Sequence, residues 1–547
     1  MNIKTINLLL ISFLLLLIIA CDSKQSASDN RIIIGISADV QTFNSLYAFS
    51  YEESAIAEIL YPGLLDFRWN DEKGELDLYP MIAKSWQWAE DSLSIRFFLR
   101  DDIFWSDGKK LTASDVVFSY DVFSDPEVES RLYGTFNQLF TESDGHIDIE
   151  KTFNVISPYE FEINIPESSV PDLVKIVVPV IPEHIFKNIS RDQLANHKSN
   201  FNPVSSGAFK FKKWDKNQTI ILEADSNSFL FLPDQVAELV FKIVPDYTSR
   251  ILQLKKGDID LVELVKVEDM VELKSEQSLA AVNLIGREYD YIGWNNINTD
   301  EASKQNKLFG SSNVHKALSM AINRKEILNE YLLGQGELAA SSVSPIFKSA
   351  FNDKVTPYEF NPDEAKKLLS HEGWKDRDKN GILEKGNEEF KFKMYYPVGN
   401  PLREYAAVVV KNNLKAVGIE VTLEKIEQGA FINNLYERKF DSWMAGFGVP
   451  IPLDLKPYWY SDPNVGFLNF SGYKSDEADA ILNQLEKKIS YDNKNELIKR
   501  FQEIIHQDEP VTFLYWTPNI IIYNKRIKNL NITPYGVLVH CWEWTLN

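Results

Sequence analysis

The sequence predicts an α/β protein built from more than one structural unit. Helical and strand-like hydrophobic periodicities alternate along the chain after residue 30, without internal repeats or low-complexity tracts. From Phe390 onward the order reads strand, helix, strand, helix, the pattern of a βαβ unit and so of parallel strands. The chain has 547 residues, 44% hydrophobic and 25% charged. That is ordinary globular composition, enough for two large lobes or for three to four domains of about 150 residues.

Taken in order, Arg31–Ser37 is a short apolar run suited to a buried strand, and Ser94–Leu99 and Glu160–Ile165 read as strands. Thr112 precedes Ala113–Phe123 and caps it as a helix, with Asp115 in its first turn. Asn313–Glu330 reads as one helix, with Val314, Ala317, Leu318, Ala321, Ile322 and Ile327 on one side. Asn361-Pro362 is an N-cap with a first-turn proline, opening a helix to Ser370. Pro401–Val417 is an amphipathic helix stopped by Gly418, followed by a strand at Glu420–Ile426 and a helix at Gln428–Arg438. Helices at Lys474–Ile489 and Asn493–Ile505 and a strand at Val511–Tyr515 follow.

Charge and leader narrow the function. Fifty-eight Lys and Arg against 79 Asp and Glu give a net charge of −21, so the basic footprint of a nucleic-acid binder is missing. Leu8–Ile19 is apolar except for Ser12, too short to span a bilayer and suited to the core of a secretory signal. The run ends at Ala20-Cys21, where a polar tract begins. Residues 1–20 therefore read as a signal peptide, and Cys21 resembles the lipidated first residue of a bacterial lipoprotein. Residues 21–30 would be its tether. Asp22 resembles an inner-membrane retention signal, which favours the periplasmic face of that membrane over the cell surface. Cys541 is then without a partner, and an inert buried thiol is favoured over a reactive one.

Several collinear blocks carry a resemblance. They are Tyr79–Trp86 with Ser94–Arg100 and Phe104–Phe118, then Ser206–Phe211, Leu252–Leu261, Asn313–Ile327, Asn361–Leu369 with Gly373-Trp374, and Arg500–Ile505 leading to Pro510. In this order they resemble the family 5 extracellular solute-binding proteins, the peptide and nickel receptors of ABC importers. The resemblance implies a two-lobed periplasmic-binding-protein-like fold (type II, the large peptide-binding variant) with an extra domain inserted in lobe one. Lobe one would be 31–75, 205–290 and 515–547, the insert 76–204, and lobe two 291–514. Glu288–Asn295 and Pro510–Trp516 fall where the crossovers lie. The family also implies a monomer that delivers its solute to permease subunits, touching the membrane only through its lipid, without cofactor or covalent chemistry.

The resemblance assigns ligand-facing positions residue by residue. The early loop offers Phe43 and Asn44, and the first crossover offers Trp294 and Asn295. Lobe two offers Tyr396, Asn400, Arg403, Trp443, Gly446, Phe447, Pro450 and Asp454, and the second crossover Trp516. Core packing is the competing role for each aromatic. Dipeptide receptors of this family place an Asp for the ligand's ammonium three residues after a Trp, where Phe447 and Pro450 stand here; the next acid is Asp454. They place an Arg for the carboxylate just before a proline, where Asn400 stands, with Arg403 three residues on. A dipeptide clamped at both ends is therefore disfavoured against oligopeptides.

Other motifs weigh less. Asp376–Gly381 matches the opening of a calcium loop, but Asn387 stands where a bidentate Glu belongs, so a plain turn is favoured and no metal site is expected. The histidines, at 146, 184, 197, 315, 371, 506 and 540, form no HExxH. The rivals are a receptor for a nickel chelate or another small polar solute on the same scaffold, and an exported hydrolase, against which missing catalytic motifs count.

Overall fold

Two long antiparallel strands, Leu279–Trp294 and Val511–Asn524, run through the middle of the molecule and join its two halves. The computed structural model describes residues 30–169, 172–297 and 306–547. The expected signal peptide, Cys21 and nearly all of the tether lie outside the described residues. The crossing strands are the centre of one large sheet. On one side follow Leu261–Val262, Arg31–Ile36, Glu238–Ile243, Thr219–Ala224 and Phe209–Asp215; on the other, Ser442–Gly448, Lys391–Pro397 and Glu420–Ile426. The predicted βαβ unit is present, with Lys391–Pro397 parallel to Glu420–Ile426 across the helix Pro401–Ala416. The Asp260 carboxylate ties the first half together. It accepts the Ile33 N–H at 2.9 Å and receives Arg526 Nε at 2.7 Å and Nη2 at 2.6 Å.

A separate four-stranded antiparallel sheet holds Ala83–Trp88, Ser94–Leu99, Glu160–Asn164 and Phe153–Ser157. Phe97, Phe161 and Tyr120 of the helix Ala113–Ser124 are fully buried against it. The hairpin Leu65–Asn70/Glu75–Pro80 leans the other way. Its tip docks on residues 346–349, where Ser349 N donates to the Lys73 carbonyl at 2.9 Å. Gly74 permits that contact, for a Cβ there would meet the Ile346 carbonyl at 2.0 Å.

Four elements differ from expectation. The single helix over Asn313–Glu330 is two, Ser312–Ala321 and Arg324–Glu330. Asn323 breaks the run and caps the second helix, because its side chain accepts the Glu326 N–H and its own N–H donates to Asn413 Oδ1 at 2.7 Å. The second of the late helices is longer, Tyr491–Asp508, and the first shorter, Asp476–Leu485. The strand expected at Val511–Tyr515 continues to Asn524, since its partner Leu279–Trp294 extends through both halves.

The ladder between the crossing strands is interrupted. Leu279–Ile285 pair with Pro518–Asn524, and Tyr289–Gly293 pair with residues 511–516, with a register shift between Ile285 and Tyr289. Within the gap, a Cβ on Gly286 would meet the Thr517 carbonyl at 1.9 Å. Trp443 lies flat over Gly293, where a Cβ would meet its ring at 2.0 Å. Gly293→Ala is expected to cost about 1–3 kcal/mol by overpacking, read as a lower urea midpoint at unchanged m-value.

Candidate ligand cleft

Both halves aim the carboxyl ends of their parallel strands at the gap in the crossing ladder. In one half Arg31–Ile36 runs parallel to Glu238–Ile243 and Leu261–Val262, and Val262 pairs with Ile522, nearer Thr517 than Tyr523, the partner of Leu261. In the other half Ser442–Gly448 runs parallel to Lys391–Pro397 and brings Gly448 opposite Glu288. Open α/β sheets bind ligands outside the carboxyl ends of their strands. The cleft between the halves is therefore the candidate site.

The wall in the first half carries charge. The helix Tyr51–Leu60 opens on a capping box, with Ser50 accepting the Glu53 N–H and Glu53 returning to Ser50 N. That box fixes the helix so that Tyr51 and Glu58, two turns apart, share one face. Glu263 and Leu264 follow directly after Leu261–Val262. Tyr51 donates its hydroxyl to Glu263 Oε2 at 2.9 Å. Water reaches this wall, for Tyr51 is 54% and Leu264 70% exposed. Its ionisable groups are nonetheless desolvated by the protein around them. Burial pushes Glu263 up to about 7, with Glu52 adding and the Tyr51 hydrogen bond opposing. Burial raises Glu58 despite the attraction of Arg131, and raises the Tyr51 and Tyr535 phenols. Burial lowers Arg131 and Arg287. They line the recess that the strand ends leave beside the gap in the crossing ladder, and the protein around them disfavours their charged forms.

The wall in the second half is aromatic. Phe447 stacks on Tyr291 at 5.2 Å, interplanar 10°, and meets Tyr458 edge-on at 5.0 Å. A small crevice there is lined by Tyr289, Ser342, Phe447, Pro450, Asp454 and Tyr458. Arg287 spans the gap and donates to the Val449 carbonyl at 3.1 Å. A larger cavity, about 280 Å³, opens farther along, between Leu76 and Leu78 of the hairpin, Asp172, and Ile451, Pro452 and Ile498.

The structure brings Phe447, Pro450 and Asp454 to the cleft side, leaves Gly446 part-exposed beside the Arg403–Asp290 pair, and spends other expected residues on the scaffold. Arg403 forms an ion pair with Asp290, Nη2 to Oδ1 at 2.7 Å and Nε to Oδ2 at 3.1 Å. Burial alone would lower the Arg403 pKa; the adjacent carboxylate more than offsets it, so the pKa is raised. Gly446 makes room for this pair, since a Cβ there would meet Arg403 Nη2 at 2.4 Å and Asp290 Oδ1 at 2.5 Å. Asn400 caps the helix Pro401–Ala416 by accepting the Arg403 N–H at 3.1 Å. Phe43 is fully buried, 5.1 Å from both Phe211 and Trp214, and Asn44 donates to Asn200 Oδ1 at 2.9 Å. Trp294 donates to Thr512 Oγ1 at 3.1 Å and stacks on Phe309, and Asn295 donates to the Phe440 carbonyl. Trp443 donates to the Tyr291 hydroxyl at 3.2 Å. Tyr396 and Trp516 are likewise buried, Trp516 against Tyr289 at 5.0 Å. Phe43, Asn44, Trp294, Asn295, Tyr396, Trp443 and Trp516 thus present almost no surface to a ligand.

Sequence reasoning missed Tyr51, Glu58, Glu263, Arg287 and Tyr535. The available signal was the seven-residue spacing of Tyr51 and Glu58 and the acid standing just past a strand's carboxyl end. Of the other candidates, Cys541 is fully buried and burial holds its thiol protonated. Asp376, Asp378 and Glu384 stand close enough to share a cation, but each accepts a backbone N–H of its own turn, from Gly381, Asn380 and Arg377.

Two predictions follow from this chemistry. Asp290→Ala leaves the Arg403 guanidinium without its partner and should cost about 3–5 kcal/mol in denaturant unfolding. Glu263 has its folded pKa raised from 4.5 to about 7. Its contribution to stability is therefore whole below the unfolded value and is lost as pH rises towards the folded one. Glu263→Gln escapes that loss, so its melting temperature should gain on the wild type between about pH 5 and pH 8.

Comparison with known proteins places this geometry. The family model for bacterial extracellular solute-binding proteins, family 5 (middle region) matches residues 77–467. The oligopeptide-binding protein AppA of Bacillus subtilis is 28% identical over 98% of this chain and 98% of its own. The structure of that protein in complex with a nonapeptide superposes with a TM-score of 0.74 at 27% identity, covering 94% of this chain and 99% of the other. NikZ from Campylobacter jejuni in complex with Ni(L-His) shares the fold at a TM-score of 0.73 and 23% identity, covering 94% and 99%. Among the described residues, no helix is long and apolar enough to cross a membrane. The two halves are the lobes of a periplasmic-binding-protein fold, the function is solute binding rather than catalysis, and the chain belongs to the family 5 extracellular solute-binding proteins.

Proposed function

We propose that this protein captures peptides, oligopeptides ahead of dipeptides, in the cleft between its lobes and passes them to the permease subunits of an ABC importer. The observation that carries the reading is the recess itself. It sets carboxylates, guanidinium groups and tyrosine hydroxyls against an aromatic wall, all within reach of water. A peptide offers matching groups, with charges at its ends, amides along its length and apolar side chains. The likeness to AppA and its nonapeptide complex supports the ligand class. Pro450, where dipeptide receptors of the family carry an acid, supports the length preference. So does Arg403, whose charge Asp290 already neutralises. The nickel-chelate rival keeps the fold of NikZ in its favour, but none of the cleft residues named above is a histidine, the ligand that suits nickel.

In this reading the lobes are 31–75 with 205–290 and 515–547, and 291–514, and residues 76–204 form an inserted domain; the separate four-stranded sheet supports that division. A signal peptide is removed before Cys21, and lipid on Cys21 holds a monomeric receptor at the periplasmic face of the membrane. The remaining ligand-contacting residues of lobe two are Gly446, Phe447, Pro450 and Asp454.

Native mass spectrometry of residues 22–547 as purified, before and after mild denaturation, tests the reading. Released masses spaced by amino-acid residues are the expected result. A single non-peptide mass or a metal would refute it.

A further inference from the structure

We propose that Glu263, oriented by Tyr51 and backed by Glu58, receives a cationic amine of the peptide on the lobe-one wall of the cleft. This rests on the peptide reading above. The acids on the opposite wall are already engaged: Asp290 is held by Arg403, and Asp454 accepts the Lys456 N–H at 3.2 Å and faces Lys175 at 3.8 Å. On the lobe-one wall the position is different. Tyr51 bonds one Glu263 oxygen, Oε2, at 2.9 Å, which fixes the carboxyl and leaves Oε1 for a ligand. Among the described residues nothing hydrogen-bonds the Glu58 carboxyl, two turns along the same helix face from Tyr51. Glu263 stands directly past the end of Leu261–Val262, where the parallel strands of lobe one deliver their carboxyl ends.

The surroundings select an amine rather than a bare metal ion. The groups around the carboxyl are Tyr51 and Glu52 from the helix Tyr51–Leu60, with Arg287 close to Tyr51 from the crossing strand. Tyr535 and Arg131 lie beyond, near Glu58. Tyrosine and largely exposed apolar side chains, Phe49 and Leu264, suit the carbon stem that carries an ammonium. Arg287 and Arg131 then face the peptide's carbonyl groups or its carboxylate. Burial holds Glu263 at about 7, so an incoming ammonium supplies the charge that favours the ionised carboxylate and binds at a group short of counter-charge.

The amine can be the peptide's N-terminus or a lysine side chain, and the test separates them. The probes are pentapeptide pools of the form Ala-Xaa-Xaa-Xaa-Ala in three versions: free N-terminus with norleucine for lysine, acetylated with lysine, and acetylated with norleucine. Each is titrated against wild-type protein, Glu263→Gln and Tyr51→Phe by native mass spectrometry, with melting curves as the folding control. Glu263→Gln is expected to weaken an amine-bearing pool about tenfold or more, and Tyr51→Phe about threefold, while leaving the pool without amine within about twofold. Loss confined to the first pool assigns the N-terminus, and loss confined to the second assigns lysine. Equal change in all pools, or none, overturns the proposal while the peptide reading stands. Failure of every pool to bind wild type overturns both.

Discussion

The hydrogen-bonded pairing of Leu279–Trp294 with Val511–Asn524 is the constraint on which the rest depends. Among the described residues it is the only ladder shared by the two halves of the large sheet, so its register fixes where each half presents its strand ends. A two-stranded ribbon resists stretching but twists readily where pairing lapses. It lapses between Ile285 and Tyr289, and there Thr517 donates its hydroxyl to the Glu288 carbonyl instead of a ladder bond. Gly286 lies within that interval and Gly293 in the paired stretch beyond it. Each admits a group, the Thr517 carbonyl or the Trp443 ring, that no side chain at the position would tolerate. The continuous pairing within each half and the short unpaired interval between them therefore come from one element.

The same geometry sets the electrostatics. Strand ends that converge on a gap leave polar groups around a recess, not on open surface. On the lobe-two side charge is neutralised at the crossing strand, through Arg403 and Asp290 with 20% and 5% of their side chains exposed. Lobe one leaves acids and bases interleaved and under-solvated, at Glu58, Glu263, Arg131 and Arg287. Such a surface is costly without a ligand and is relieved by one carrying opposite charges, which couples occupancy to stability.

Most of the scaffold was legible because its signals are local. Asn361-Pro362 starts a helix where expected, Gly418 takes a φ of 88° just past one, and the βαβ order survives intact. The break at Asn323 was hidden because an apolar stripe continued through it; the cap that splits the helix depends on Asn413, ninety residues away. The cleft was less legible for a different reason. Alternation in a strand says which residues share a face, not which face fronts the other lobe. Trp294 and Trp443 look like ligand platforms in sequence, yet both turn into the packing around the crossing strands. Glu263 looks like a solvated turn acid, and only the topology puts it at the mouth of the cleft.

Besides the crossing strands, the halves meet where the hairpin tip at Lys73-Gly74 docks on residues 346–349 and where Arg287 reaches the Val449 carbonyl; further contacts are polar and exposed. Lys175 faces Asp454 at 3.8 Å with 38% and 42% of the side chains exposed, and Lys488 donates to the Ser92 hydroxyl at 3.1 Å on open surface. Exposed pairs of this kind contribute roughly 0–1 kcal/mol each and weaken further in salt. Turning a population from one-hundredth closed to nearly all closed takes about 5.5 kcal/mol of differential binding. Exposed contacts of that size cannot supply it. The difference has to come from contacts made with both walls at once. A ligand held by the charged recess of lobe one gains the aromatic wall of lobe two, at Phe447 and Tyr458, only when the cleft is shut.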